Sequence, residues 1–148
     1  MKFLAILAST AFLLPSLTSA GNAQMKYDNV YANGGTSLTS VACSDGQNGL
    51  ITRYGYQTLS NLPGFGNGEV YPAAVDSVAG WNSLSCGSCY RLYWGSNTVK
   101  VIAVDHAGSG FNVPQAAFDK LTNGQAAQLG TTNVGFAQLS PQDCGLPY

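Results

Sequence analysis

Four cysteines constrain this chain more than any other feature, and the character of its N-terminus decides how to read them. Met1–Lys2 is a short basic start, Phe3–Leu14 is almost wholly apolar, Pro15 breaks the run, and Thr18–Ser19–Ala20 offers small residues for cleavage before Gly21. That order predicts a secretory signal peptide over residues 1–20. The run is too short for a spanning helix, and no later stretch stays apolar for long enough. The expectation is therefore an exported protein without a membrane span, residues 21–148 forming one domain. In such a chain Cys43, Cys86, Cys89 and Cys144 read as two disulfides, with three possible connectivities.

Cys86–Gly87–Ser88–Cys89 also has the spacing of a redox pair or of half a zinc site. A thioredoxin-like pair would want a helix after it, but Tyr90–Arg91–Leu92–Tyr93–Trp94 follows, a strand by composition. A zinc site would want a second close pair, whereas Cys43 and Cys144 stand alone. Structural disulfides are the better reading, and no metal or cofactor is expected. If Cys86 and Cys89 do not pair with each other, each must reach a distant cysteine and tie an end of the domain to its middle.

Along the chain, Lys26–Tyr31 reads as a strand ending in the turn Asn33–Gly34–Gly35, and Thr39–Ala42 as another short extended piece. Asp45–Gly46 and Asn48–Gly49 are turns. Thr58–Leu62 suits a helical turn stopped by Pro63, and Pro72 limits any strand around Val70. Cys89–Trp94 and Thr98–Val104, separated by Gly95–Ser96–Asn97, predict a hairpin. Tyr90, Leu92 and Trp94 share one face, and the second arm is apolar enough to be buried on both. Asn112–Val113–Pro114 followed by apolar Val113, Ala117 and Leu121 predicts a short helix capped by Asn112 and closed by Asn123–Gly124. Thr132–Leu139 returns to strand. The sum is a mainly β domain with short helices, a closed barrel.

The charged fraction is 9%, and the mature chain carries Lys26, Arg53, Arg91, Lys100 and Lys120 against 7 acidic residues. No basic run stands out, which argues against nucleic acid and against electrostatic attachment to anionic membranes. A surface rich in Gly, Ser, Thr, Asn, Gln and Tyr suits a sugar polymer better than an ionic partner. Asp105 and His106, the only histidine, stand where the apolar run Val99–Val104 meets the glycine-rich turn Ala107–Gly110, a usual way to deliver a polar group to a cleft. The plainer alternative is that Asp105 serves the turn backbone. Of Tyr27, Tyr31, Trp81, Tyr90 and Trp94, only Trp81, in a Gly-Asn-Ser setting, reads as exposed; the others suit a core. Asp45 and Asp76 fall in turn-like sequence, where capping or solvation is the default.

Five motifs occur in order with the cysteines: Ser40–Val41–Ala42–Cys43–Ser44, Leu62–Pro63–Gly64–Phe65, Ala79–Gly80–Trp81–Asn82–Ser83, Ser85–Cys86–Gly87–Ser88–Cys89, and Val104–Asp105 with Gly110–Phe111–Asn112–Val113. By these the chain resembles the cerato-platanins, small secreted fungal proteins, over its mature length. The resemblance implies a single six-stranded double-psi β-barrel like those of expansins and barwin, with pairings Cys43–Cys86 and Cys89–Cys144. It implies a secreted protein, extracellular and in the cell wall, that binds N-acetylglucosamine oligomers or other wall polysaccharide, loosens cellulosic material in the manner of expansins, and elicits plant defence, with plant immune receptors as further partners. Carried onto this sequence, the sugar-binding residues are Asp105 and Asn112. A carboxylate accepts hydrogen bonds from hydroxyl and N-acetyl N–H groups, and an amide donates and accepts.

His106 follows Asp105 where many members have Ser, which raises a carboxylate–imidazole partnership and pH-sensitive binding. Alternation along a strand sends neighbours to opposite faces and argues against it. Tyr90 stands where many members have Trp. The favoured class is a non-enzymatic carbohydrate-binding protein. The second is a glycosidase or lytic transglycosylase on the same barrel, for which a second carboxylate beside Asp105 is not identifiable in the sequence. The third is a surface-active signalling protein whose sugar groove is incidental.

Overall fold

The computed structural model describes residues 20–148. The leader reading lies outside the described residues except for Ala20, which opens the first strand. Strands β1 (Ala20–Tyr27), β2 (Val70–Val75), β3 (Cys89–Trp94), β4 (Asn97–His106), β5 (Phe111–Val113) and β6 (Thr131–Leu139) close into a barrel in the order β1-β5-β2-β4-β3-β6. Two pairings, β1 with β5 and β2 with β4, are parallel; the others are antiparallel. Helices α1 (Leu50–Tyr54), α2 (Gln115–Thr122) and α3 (Ala126–Leu129), with 3-10 turns, lie in the connections. This is the six-stranded barrel with short helices that the motifs imply.

The barrel interior is aromatic. Phe111 meets Tyr90 edge-on at 5.4 Å between ring centres and lies 5.5 Å from Phe136. Tyr90 and Leu92 are buried as their shared face requires, and Val99 and Val101 to Val104 are buried as well. The hairpin pairs Cys89 with Ile102 through Trp94 with Asn97. Outside, α2 buries Ala117, Phe118 and Leu121, with Phe118 edge-on to Tyr27 at 5.6 Å. Asn123 takes the left-handed conformation that ends α2.

The disulfides are Cys43–Cys86 and Cys89–Cys144, spanning 43 and 55 residues. Loops of that length give about 4 kcal/mol each on the chain-entropy model. The first ties the loop after Leu38 to the loop before β3; the second ties β3 to the C-terminal turn.

Four local expectations change. The first strand starts at Ala20 and ends at Tyr27, and Asn29–Ala32 is a 3-10 turn, with the Asp28 side chain accepting from the Val30 N–H. Thr39–Ala42 is not extended throughout: Leu38–Ser40 form a 3-10 turn capped by Ser37, and the chain turns extended only at Val41. Pro72 lies inside β2, because β5 is short and pairs only with Ala74 and Val75, leaving one side of Pro72 without a strand to serve. Asn112 does not cap α2. It is held in β5, and the Gln115 N–H is accepted at 3.0 Å by Asn29 Oδ1, far away in sequence.

Candidate functional site

Asp105 stands near the C-terminal end of β4, and its carboxylate is largely committed. Oδ1 accepts the Ala42 and His106 backbone N–H groups, each at 2.9 Å, and Oδ2 accepts the Tyr31 hydroxyl at 2.8 Å. The plain reading of Asp105 as a carboxylate serving backbone is thus part of the truth, but it anchors the loop at Ala42 and a buried tyrosine. A carboxylate offers about four acceptor positions, so Oδ2 keeps room for a ligand donor, and the residue is half-buried. Burial, then the hydrogen bond and charge of Asp105, push the Tyr31 hydroxyl well above the ordinary tyrosine range. Tyr31 therefore remains a donor to Asp105 at neutral pH.

Asn112, two strands away, is brought level with Asp105 by a register shift. Ala73 pairs with Ala103, a bulge intervenes, and Ala74 pairs with Asp105 on one side and Asn112 on the other. A one-residue slip exchanges the faces of a strand, so the bulge decides which β4 residue stands across Ala74. Two strand spacings separate the polar residues, roughly 10 Å, with a buried alanine between them. The acid and the amide thus stand level in a row across one fully buried residue. Asn112 is half-buried and pairs on its other side with Lys26.

His106 does not join it. Its Nδ1 lies 2.5 Å from the Val78 carbonyl oxygen, and only its backbone N–H touches the Asp105 carboxylate. The carboxylate–imidazole partnership is thereby corrected, for the strand-alternation reason given above.

Beside the row, Tyr31, Phe65, Tyr71, Pro72, Pro114 and Ala116 line an open hollow of about 240 Å³. Tyr31 belongs to both, ring in the hollow and hydroxyl on Asp105. The sequence places it in the core. It is buried, and nothing local in the sequence marks its bond to a residue 74 positions away. Asp76, a turn acid for which capping is the default, does serve backbone. It follows β2 two residues after Ala74, exchanges backbone contact with Gly110 (N–H to O, 2.9 Å), and accepts the Gly110 N–H on Oδ2 at 2.7 Å. An acid straight after the apolar run Val70–Val75 was the available signal. On the outside of the β3–β4 hairpin, Arg91, Lys100 and Lys120 gather with Glu69 around a smaller hollow, so cations scattered in sequence do form a cluster. Among the described residues, no group of three or more His, Cys, Asp or Glu could hold a metal ion, and no helix is long and apolar enough to cross a membrane.

Comparison with known proteins gives a consistent answer. The family model described as cerato-platanin matches residues 23–146. The chain is 44% identical over 151 residues to the allergen Asp f 15 homolog of Arthroderma benhamiae, covering 98% of this chain and 70% of that one. It is 36% identical to the cerato-platanin of Ceratocystis fimbriata f. sp. platani over 133 residues, 89% of this chain and 93% of the relative. Among solved structures, cerato-platanin 3 from M. perniciosa superposes with a TM-score of 0.78 at 45% identity, covering 85% of this chain and all (100%) of its own. The solution structure of the fungal elicitor cerato-platanin gives 0.67 at 33% identity, with 82% and 95% covered.

Proposed function

The chain belongs to the cerato-platanin family of secreted fungal proteins, and on that premise we propose that it is itself secreted, to the extracellular space and cell wall. There it binds N-acetylglucosamine oligomers or a related wall polysaccharide without cleaving them, loosens wall material as expansins do, and acts as an elicitor of plant defence. The observation that carries the sugar-binding reading is the level row Asp105–Ala74–Asn112 beside the hollow of Tyr31, Phe65 and Tyr71. A carboxylate that accepts and an amide that donates and accepts suit the hydroxyl and N-acetyl groups of a sugar chain, and the aromatic hollow suits its C–H faces. The elicitor reading is supported by the likeness to a relative described as a fungal elicitor. It is tested by infiltrating purified protein into leaves and scoring the oxidative burst, with heat-treated reduced protein as control.

The binding test is a titration of isotope-labelled protein with N-acetylglucosamine oligomers, beside Asp105→Asn. Shift changes clustered at Asp105, Asn112 and Tyr31 and weakened in the variant support the site. Silence of those resonances at millimolar oligomer removes it.

Asp76 favours one competing reading. It follows Val75, which pairs with His106 beside Asp105, so a second carboxylate stands at the same end of the sheet, and hydrolysis usually needs two. Both acids are occupied by backbone donors, which is why binding without hydrolysis is preferred. A reducing-end assay on chitin and glucan oligomers decides: release that disappears in Asp76→Asn establishes the enzyme.

A further inference from the structure

Trp81 is 63% exposed, although burying an indole is among the larger gains a side chain offers. It is nonetheless held in place. Its Nε1–H donates to Asp45 Oδ1 at 2.7 Å, and this bond is the main reason the Asp45 carboxyl lies below the ordinary range. The next residue, Asn82, has φ of 60°, in the left-handed region that asparagine enters more readily than most residues. Asn82 is fixed there by two bonds with Asn48: its Oδ1 accepts the Asn48 N–H at 2.9 Å and its carbonyl accepts Asn48 Nδ2 at 3.0 Å. Gly46 is the only residue that fits beneath, because a Cβ there would press on Asn82 Oδ1 at 2.7 Å and on Trp81 Cζ2 at 3.0 Å. The Cys43–Cys86 disulfide closes the base of both loops.

We propose that Trp81 is a rigid stacking platform for a pyranose ring, a second saccharide contact separate from the Asp105–Asn112 row. With its polar edge satisfied by Asp45, the indole offers a carbon surface, and Asp45, Asn48, Asn82 and Ser83 supply a polar rim. A β-linked pyranose presents the matching pattern, C–H groups on its face and equatorial hydroxyls at its edge. The anionic rim disfavours an acidic sugar. The two loops hang from the strand end that carries Asp105: Cys43 N–H donates to Val104 O, Gly87 N–H to Ala103 O, and Ala42 N–H to Asp105 itself. Ala42 and Asp45 are separated by at most roughly 10 Å of backbone. That upper bound lets a single oligomer touch the row and the platform together. The inference shares with the proposed function the premise that the ligand is a saccharide.

The two indole N–H resonances separate the readings. Trp94, whose Nε1 faces Thr132 Oγ1 at 3.3 Å, serves as an internal control. Titration uses the N-acetylglucosamine trimer and hexamer, cellohexaose, and phosphatidylcholine vesicles. The expected result is a shift of the Trp81 resonance with a hexamer and little change at Trp94. Trp81→Ala should lower hexamer affinity about tenfold, while Trp81→Phe stays within about threefold of wild type. Shifts at Asp105 and Asn112 with Trp81 silent overturn the platform and leave the row standing. Shifts at Trp81 with Asp105 and Asn112 silent support the platform and remove the row. No saccharide response anywhere, or a Trp81 response to vesicles alone, overturns the platform as a sugar contact.

Discussion

Replacing Asp105 tests how far one carboxylate holds the site together. In Asp105→Ala the Tyr31 hydroxyl and the Ala42 N–H, both in half-buried bonds, lose their acceptor. The His106 N–H is exposed and rehydrates. An orphaned buried donor costs about 1–3 kcal/mol; partial exposure places each of these in the lower half of that range, about 1.5 kcal/mol each and about 3 kcal/mol together. For a domain of this size that lowers Tm by roughly 10 °C. Asp105→Asn keeps an oxygen for the two backbone donors and can offer its amide N–H to the tyrosine oxygen, so it should cost only about 1 kcal/mol. Tyr31→Phe should cost a similar amount. In Tyr31→Phe/Asp105→Ala the orphaned hydroxyl no longer exists, so the double variant should lose about 1 kcal/mol less than the singles summed. Urea unfolding followed by circular dichroism, with disulfides intact, measures all four. If Asp105→Ala unfolds within 0.5 kcal/mol of wild type, as an ordinary surface change does, the anchoring role is wrong and Asp105 is free for its ligand alone. The ranking also makes Asp105→Asn the better binding probe, since it removes charge while sparing the loop.

Other outcomes follow from the same geometry. Gly110→Ala should be severely destabilising, by about 3 kcal/mol or more, because φ is 59° there and a Cβ would run into the Gln24 carbonyl; expression yield and Tm check it. Asn29→Ala should cost about 1 kcal/mol through loss of the remote cap on Gln115, seen in thermal melts. Tyr31 keeps its proton in the folded chain to a higher pH than in the unfolded one. Stability is therefore whole below about pH 10 and falls as pH rises beyond it; urea midpoints across that range should fall less steeply in Tyr31→Phe. The Asp45 carboxyl is depressed by the Trp81 bond, so its contribution is present above the ordinary carboxylate value and lost as pH falls through the lowered one. The Trp81 indole resonance should move only in that more acid window.

The parts legible in the sequence are those carried by local pattern. The β3–β4 hairpin shows in two apolar runs around Gly95–Ser96–Asn97, and the end of α2 shows in Asn123–Gly124. The disulfide pairing came from the motifs rather than from spacing. What stayed hidden depends on partners far along the chain. Pro72 looked hostile to a strand because proline lacks a donor, and only the shortness of β5 makes that harmless. Asn112 has the chemistry of a helix cap but is taken by β5, and the cap comes from Asn29. Asp105 was conspicuous by position, yet its bond to Tyr31 and its level with Asn112 arise from a turn and a bulge that no local window contains.

The strand order also dictates when the molecule can become whole. β1 lies between β5 and β6, so Met25 must await Phe111 and Ala20 must await Ala137. A ribosome makes the first strand early and its neighbours last. Until then β1 has both edges open and the row of Asp105 and Asn112 lacks its outer support. Distant pairings of this kind are slow to form, and open edges invite other chains. Assembly is thus a late, nearly single event, and the hairpin of β3 and β4 is the natural place for it to begin. A truncation that removes β6 should leave neither a smaller barrel nor half a binding surface, only a chain prone to aggregate.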